Sequence, residues 1–361
     1  KWVRHISDLL VQLVKYFQER LISERYKKHP WKPEIPADYK LRDQDVTEFV
    51  EVFKPIAMIA MYSRMNTNHI GKIFKGLAEL RPELILPGII ERVCITAETT
   101  AEPHKFTAAL SSLSSVANVI VSGRRGTEES RTQLIPIMFA VLPGIDSNDF
   151  KKTSITFQFL ITVSILLPIV DCSKAFLYHD DMSEEETLIC QQTATFEDFV
   201  LQFLDRMFVL IESSSVETTR MEHSSYSDNS AKSKLESIAE ALIQSAGHSI
   251  LGQCSQEILD SATKKLINYI KGSRAMEPRV AGAAMSSLCR VFARVNGKDT
   301  YRALIPFLTE YIETHFKEND AIEMEKQRDD FLYYLQLLTT LIRGHPHEVT
   351  PYIDTLLPII D

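Results

Sequence analysis

Glycine is scarce in this chain, with 12 among 361 residues. Sheet-rich folds need many tight turns, in which glycine adopts the positive φ angles that other residues avoid. Strand signals are scarce as well, because no sustained alternation of apolar and polar residues is bounded by Asn-Gly or Asp-Gly. These two shortages disfavour a β fold and favour an all-α one.

Cysteine is also sparse, and its spacing is wide. The five cysteines include no CxxC pair, so neither a disulfide framework nor a zinc site is indicated. No N-x-S/T acceptor occurs, and together these features favour a reducing compartment, the nucleus and cytoplasm. His345 and His347 could sit near Asp354, but a third histidine or cysteine at ligand spacing is missing, and we expect no metal.

Catalytic signatures are missing from the sequence. It contains no GxSxG nucleophile elbow, no Walker-type or Rossmann glycine pattern, and no base–nucleophile pair. We therefore expect a protein that is not an enzyme and that needs no cofactor of its own.

Excess positive charge is missing too, since the net charge is −8. Nucleic-acid binding needs a basic face, and direct binding is not predicted. Two local clusters remain as candidates for phosphate or another polyanion: the glycine-bracketed turn of Arg124 and Arg125, and a helix face with its following turn that carries Lys264, Lys265, Lys271, Arg274 and Arg279. The alternative for both is an ordinary solvated surface, which we favour for the second cluster.

One uncharged stretch, residues 153–170, has barely the length of a membrane span. It contains several hydroxyl residues, Gln158 and Pro168. A helix in the middle layer of a helical array is also apolar nearly all round, and we expect that role and no membrane contact.

Helical spacing runs through the chain, as in Phe199, Phe203, Met207 and Ile211. Helix pairs recur at intervals typical of HEAT hairpins. A proline follows an aliphatic residue within apolar helical runs at Leu86-Pro87, Ile135-Pro136, Leu167-Pro168, Ile305-Pro306 and Leu357-Pro358. We predict a HEAT-like helical-repeat solenoid, an α-α superhelix, over residues 1–361, and we interpret it as a segment of a longer chain.

Two stretches are predicted to leave this array. Residues 179–187 are a short acidic run, predicted as a loop. Residues 212–234 are rich in serine, threonine and charge without apolar periodicity, which predicts a disordered insertion.

Several strings resemble, in order, the middle region of the large single-chain HEAT-repeat proteasome activators. They are ERYKK at 24–28, DQDVT at 43–47, RPEL at 81–84, EPH at 102–104, LPGID at 142–146, ITFQF at 155–159, FEDFVLQF at 196–203 and LIESS at 210–214. The likeness covers roughly residues 20–300 and is weaker beyond them.

The resemblance implies a role in a dome-like solenoid that caps the α-ring of the 20S proteasome without ATP and promotes gate opening. That family is linked to degradation of acetylated histones in the nucleus and to DNA repair. It docks through a C-terminal hydrophobic-Tyr-X tail and has a bromodomain-like region, and we expect both outside this segment, which ends Pro358-Ile359-Ile360-Asp361. Members bind inositol phosphates at basic openings, which makes the two basic clusters candidates for that ligand.

A different function class stays open, because solenoids serve many purposes. The alternative is a HEAT-type transport receptor or scaffold that binds peptides on its concave face. The colinear strings favour the activator.

Overall fold

The computed structural model describes residues 2–27, 35–63, 67–99, 102–222, 234–273, 275–318 and 328–360. Throughout these ranges the regular structure is helical, apart from one isolated parallel bridge between Ile169 and Cys254. The predicted all-α helical-repeat fold is confirmed. The chain divides into two compact units, residues 1–144 with 176–189 and residues 145–175 with 190–361.

The first unit consists of two layers of helices. One layer contains α1, α3 and α5, and the other contains α2, α4 and α7, with the short helix α6 packed beside α4, α5 and α7. Consecutive helices alternate between the layers from α1 to α5, as stacked helical hairpins require. The helices are α1 (Trp2–Tyr26), α2 (Asp43–Ala60), α3 (Thr67–Leu80), α4 (Pro82–Glu98), α5 (Pro103–Val121), α6 (Glu128–Thr132) and α7 (Leu134–Val141).

Helix α3 shows why this layering forms. Ile70, Ile73, Phe74 and Leu77 recur at the i, i+3, i+4, i+7 spacing of one helical face, and each is at most 4% exposed. The helix contacts α1 and α5 within its own layer and α2 and α4 across the layers. Burial on several sides leaves only a narrow strip of the helix for polar residues.

The second unit repeats the two-layer plan. Its first layer contains α8, α11, α13 and α15, and its second contains α10, α12, α14 and α17. The helices are α8 (Phe150–Leu166), α9 (Glu184–Thr193, which crosses the boundary between the units), α10 (Phe196–Glu222), α11 (Lys234–Leu251), α12 (Gln256–Gly272), α13 (Ala281–Val295), α14 (Gly297–Glu318), α15 (Arg328–Ile342), α16 (Pro346–Val349) and α17 (Ile353–Ile360).

Helix α13 is buried almost all round, and its composition explains how this is possible. It is rich in alanine, serine and glycine, which allow α10, α11, α14 and α15 to approach. The turn before it is held by Glu277, whose carboxylate accepts hydrogen bonds from the backbone N–H groups of Arg279 (2.6 Å) and Val280 (2.8 Å).

Four of the five aliphatic-proline pairs place proline within a helix, as expected: Pro87 in α4, Pro136 in α7, Pro306 in α14 and Pro358 in α17. The expectation for Leu167-Pro168 is wrong. Helix α8 ends at Leu166, and Leu167 is extended with φ −125° and ψ 128°. The following proline disfavours the α conformation in the residue before it. The next residue, Ile169, then forms the bridge to Cys254.

The predicted acidic loop at residues 179–187 is shorter than expected, because α9 begins at Glu184. Ser183 and Glu186 form a reciprocal capping box. The Ser183 backbone N–H donates to a Glu186 carboxylate oxygen (2.9 Å), and the Glu186 N–H donates to the Ser183 hydroxyl (3.2 Å).

The predicted disordered insertion does not begin at residue 212, because α10 continues to Glu222. The Ser213 hydroxyl donates to the Val209 carbonyl (2.7 Å), a bond within the helix that accommodates a polar residue there. Residues 223–233 of the predicted insertion lie outside the described residues.

The uncharged stretch at residues 153–170 forms most of α8 and the connection after it. Among the helices that the structure describes, none combines the length and apolar character that crossing a bilayer requires. Thr153, Thr156 and Ser164 are buried in this helix. The Thr156 hydroxyl donates to the Lys152 carbonyl (2.9 Å), so this buried hydroxyl is satisfied within the helix.

Helix α10 allows a matched test of the layered core. Leu204 is fully buried and Val209 is 55% exposed on the same helix. We expect Leu204→Ala to lower the free energy of unfolding by about 2–5 kcal/mol, because it leaves a cavity between packed helices. We expect Val209→Ala to change it by less than about 0.5 kcal/mol. Urea denaturation followed by circular dichroism measures both, and similar effects of the two substitutions would contradict the layer assignment.

Candidate functional site

The turn that carries Arg124 and Arg125 connects α5 to α6 in the first unit. Gly123 (φ 65°) and Gly126 (φ 84°) bracket it in the left-handed region. The backbone N–H and hydroxyl of Thr127 both donate to the Arg124 carbonyl, at 3.2 and 2.7 Å. The backbone is thereby held in a defined turn while both arginine side chains remain exposed.

Acidic groups already lie beside this turn. The pKa of the Glu128 carboxyl is lowered by hydrogen bonds from its own backbone N–H and from that of Gly126, and further by the charges of Arg131 and Arg125. The ionised Glu128 therefore offsets part of the positive potential of Arg125, and an incoming polyanion meets a mixed surface.

The three described lysines of the second cluster lie on α12. Lys264 and Lys271 are about two helical turns apart and share one exposed face. Lys265 points elsewhere, and its ammonium group forms an ion pair with Asp205 of α10 (2.7 Å). The Lys271 ammonium lies 5.6 Å from the centre of the Phe307 ring, within reach of a cation–π interaction.

Arg274, the fourth candidate of this cluster, lies outside the described residues. Arg279 is exposed in the turn before α13 that the Glu277 carboxylate holds. The structure thus brings together Lys264 and Lys271 and withdraws Lys265 into an ion pair. The Arg124 and Arg125 turn belongs to the other unit.

The environments of three of the five cysteines, Cys94, Cys254 and Cys289, do not favour nucleophilic chemistry. Burial raises the pKa of the Cys254 and Cys289 thiols to about 12 in each case. Burial, and then the charge of Glu98, raise the pKa of Cys94. These thiols stay protonated near neutral pH and are poor nucleophiles. In the ranges that the structure covers, no three His, Cys, Asp or Glu side chains are grouped as metal ligands.

Sequence reasoning missed an exposed apolar cluster beside the acidic run. Phe176, Leu177 and Tyr178 are 49, 62 and 82% exposed, directly before His179. The sequence signal for this cluster is three consecutive large apolar side chains next to clustered carboxylates, whereas the charge pattern by itself predicts only a loop.

Comparison with known proteins gives consistent matches. The family model described as proteasome activator complex subunit 4, mid HEAT repeats region, matches residues 1–361. Proteasome activator complex subunit 4 of Xenopus laevis is 38% identical over 361 residues, covering 100% of this chain and 19% of the relative. Subunit 4B of Danio rerio is 37% identical over 361 residues (100% and 20%), and subunit 4 of Homo sapiens is 38% identical over 360 residues (100% and 19%). The chain spans about a fifth of the length of these curated relatives.

The glycine-bracketed turn predicts a contrast between two glycines. Gly126 has a positive φ, and an added Cβ would lie 2.6 Å from a Glu83 carboxylate oxygen, whereas one on Gly272 would meet nothing within 4 Å. We expect Gly126→Ala to destabilise the chain by about 1–2 kcal/mol, because an L side chain strains this conformation. Gly272→Ala is expected to be neutral or stabilising by up to about 1 kcal/mol. Chemical denaturation compares them, and equal effects would refute the assigned turn conformation.

Proposed function

This chain belongs to the proteasome activator complex subunit 4 family, in its mid HEAT repeats region, and we propose that it serves as a non-catalytic wall segment of such an activator. The family match over residues 1–361 carries this proposal. The two-layer helical packing within each unit supports it, because stacked hairpins form continuous cores that resist deformation.

In the proposed mechanism the wall acts through shape. A shell of stacked helices over the 20S α-ring confines substrates and directs them toward the gate, while other parts of the longer protein dock on the core particle and favour gate opening without ATP. Peptides and acetylated histones are the proposed substrates, with histones recognised by regions outside this chain. The proposed locations are the nucleus and the cytoplasm.

A chimera tests this proposal directly. The chain replaces the matching region of Xenopus laevis proteasome activator complex subunit 4, to which it is 38% identical. We expect the chimera to stimulate peptide hydrolysis by isolated 20S proteasome without ATP, because a segment of the same family restores the wall. The chain added alone should not stimulate hydrolysis. Fluorogenic peptide cleavage measures both.

Two controls make the chimera informative. One carries an unrelated HEAT scaffold of equal length at the same position, and the other lacks the region. If the unrelated scaffold stimulates hydrolysis equally well, the chain contributes generic helical packing, and the alternative of a transport receptor or scaffold gains support. A folded but inactive chimera would overturn the wall proposal.

We also propose that the exposed α12 face contributes to inositol phosphate binding, and the lysine environments give this a specific test. Lys264→Ala is expected to weaken binding of inositol hexakisphosphate about three- to tenfold, since an exposed cation is lost. Lys265→Ala should have a smaller effect, because that cation is already paired with Asp205 at 2.7 Å. Calorimetry measures the affinities, with the exposed Lys75→Ala as control. Unchanged affinity for both α12 variants would remove these lysines from the site.

A further inference from the structure

We propose that residues 176–188, which we call the acidic arm, form a docking surface for a lysine- and arginine-rich peptide segment of a partner protein. The arm belongs to the first unit and includes the start of α9. Not one of its residues is buried. This inference is independent of the proposed wall function.

The first observation is the apolar surface of the arm. Phe176 and Leu177 are 49 and 62% exposed, Tyr178 is 82% exposed, and Leu188 on α9 is 45% exposed. Single exposed apolar residues are ordinary. A group of consecutive large ones forms an apolar patch whose contact with water is unfavourable, and such patches are typical of interaction surfaces. The aromatic rings supply most of the area that a partner could cover.

The second observation is the charge of the same segment. Asp180, Asp181, Glu184, Glu185 and Glu186 lie within it, and residues 175–205 contain no lysine or arginine. Across the described part of the chain, no lysine or arginine forms an ion pair with any of these five carboxylates. Their negative potential is therefore not neutralised by neighbours and is available to attract cations.

The capping box gives the α9 end of the arm a defined shape. Ser183 and Glu186 bond reciprocally, which fixes the start of α9 and places Glu184 and Glu185 in its first, exposed turn. Negatively charged side chains in the first turn of a helix are favoured by the helix dipole. An ordered acidic surface loses less entropy on binding than a free chain would.

Charge complementarity selects the partner. Carboxylates attract lysine and arginine, and the exposed face of Tyr178 can accept a cation over its ring. The aliphatic stems of long basic side chains can cover Phe176 and Leu177. Phosphate-rich partners and anionic membranes would be repelled by the same five carboxylates. A basic peptide satisfies both the apolar and the charged part of this surface.

Fluorescence anisotropy of the full chain with a fluorescein-labelled peptide of repeating Arg-Gly-Lys-Gly units tests the proposal. We expect saturable binding that weakens as salt rises. Glu184→Gln/Glu185→Gln should weaken binding about three- to tenfold, and Tyr178→Ala about two- to fivefold. The matched control, Glu48→Gln/Glu51→Gln, makes the same charge change at exposed positions of α2 and should leave the affinity unchanged.

Three results would overturn the docking surface. The basic peptide does not bind, a Glu-Gly-Asp-Gly control peptide binds equally well, or the arm variant and the α2 control lose the same affinity. Glu186 is kept because it caps α9, and circular dichroism establishes that every variant is folded. Because proteasome stimulation is not the readout, a failure here leaves the wall proposal untouched.

Discussion

Burial of the middle helices within each two-layer array is the constraint on which the rest of the structure depends. Helices α3 and α13 each contact neighbours in their own layer and in the other. A helix in this position needs either large apolar side chains at helical spacing or small residues that allow neighbouring helices to approach. Helix α3 has the large apolar side chains, and α13 has the small residues. Neither helix could bury its surface alone, so each hairpin depends on those beside it.

The sequence predicted the helical class and repeat type because both follow from local signals. Apolar periodicity identifies a buried face without knowledge of what covers it, as in α10, where Phe199, Phe203 and Met207 are fully buried. The helix boundaries were harder to predict. Leu167-Pro168 ended a helix and Pro306 did not, although the two dipeptides have the same local pattern. After Leu167-Pro168 the chain forms the Ile169 bridge to Cys254, a contact distant in sequence that the dipeptide does not reveal.

The basic clusters show that local sequence also gives an incomplete prediction of binding sites. A list of lysines in one segment cannot reveal which ammonium groups are free, because Asp205, the partner of Lys265, comes from a different helix. The sequence predicted one patch that included all three lysines, whereas the structure places Lys264 and Lys271 on a shared face and pairs Lys265 with Asp205. The apolar run from Phe176 to Tyr178 shows a second limit, since its sequence does not reveal whether the side chains are covered, and only the three-dimensional structure shows that they are exposed.

The pairing of α8 with α11 has a kinetic consequence. Repeat arrays fold quickly because each helix finds its partners among its neighbours in sequence. Here α9 and α10 intervene, and the Ile169 carbonyl accepts a hydrogen bond from the backbone N–H of Ser255, beyond α11 (2.9 Å). Closing so long a loop costs chain entropy before any contact compensates for it. Helix α8 must therefore acquire its final packing late, after α11 has formed, and until that step a nascent chain leaves the uncharged stretch at residues 153–170 exposed.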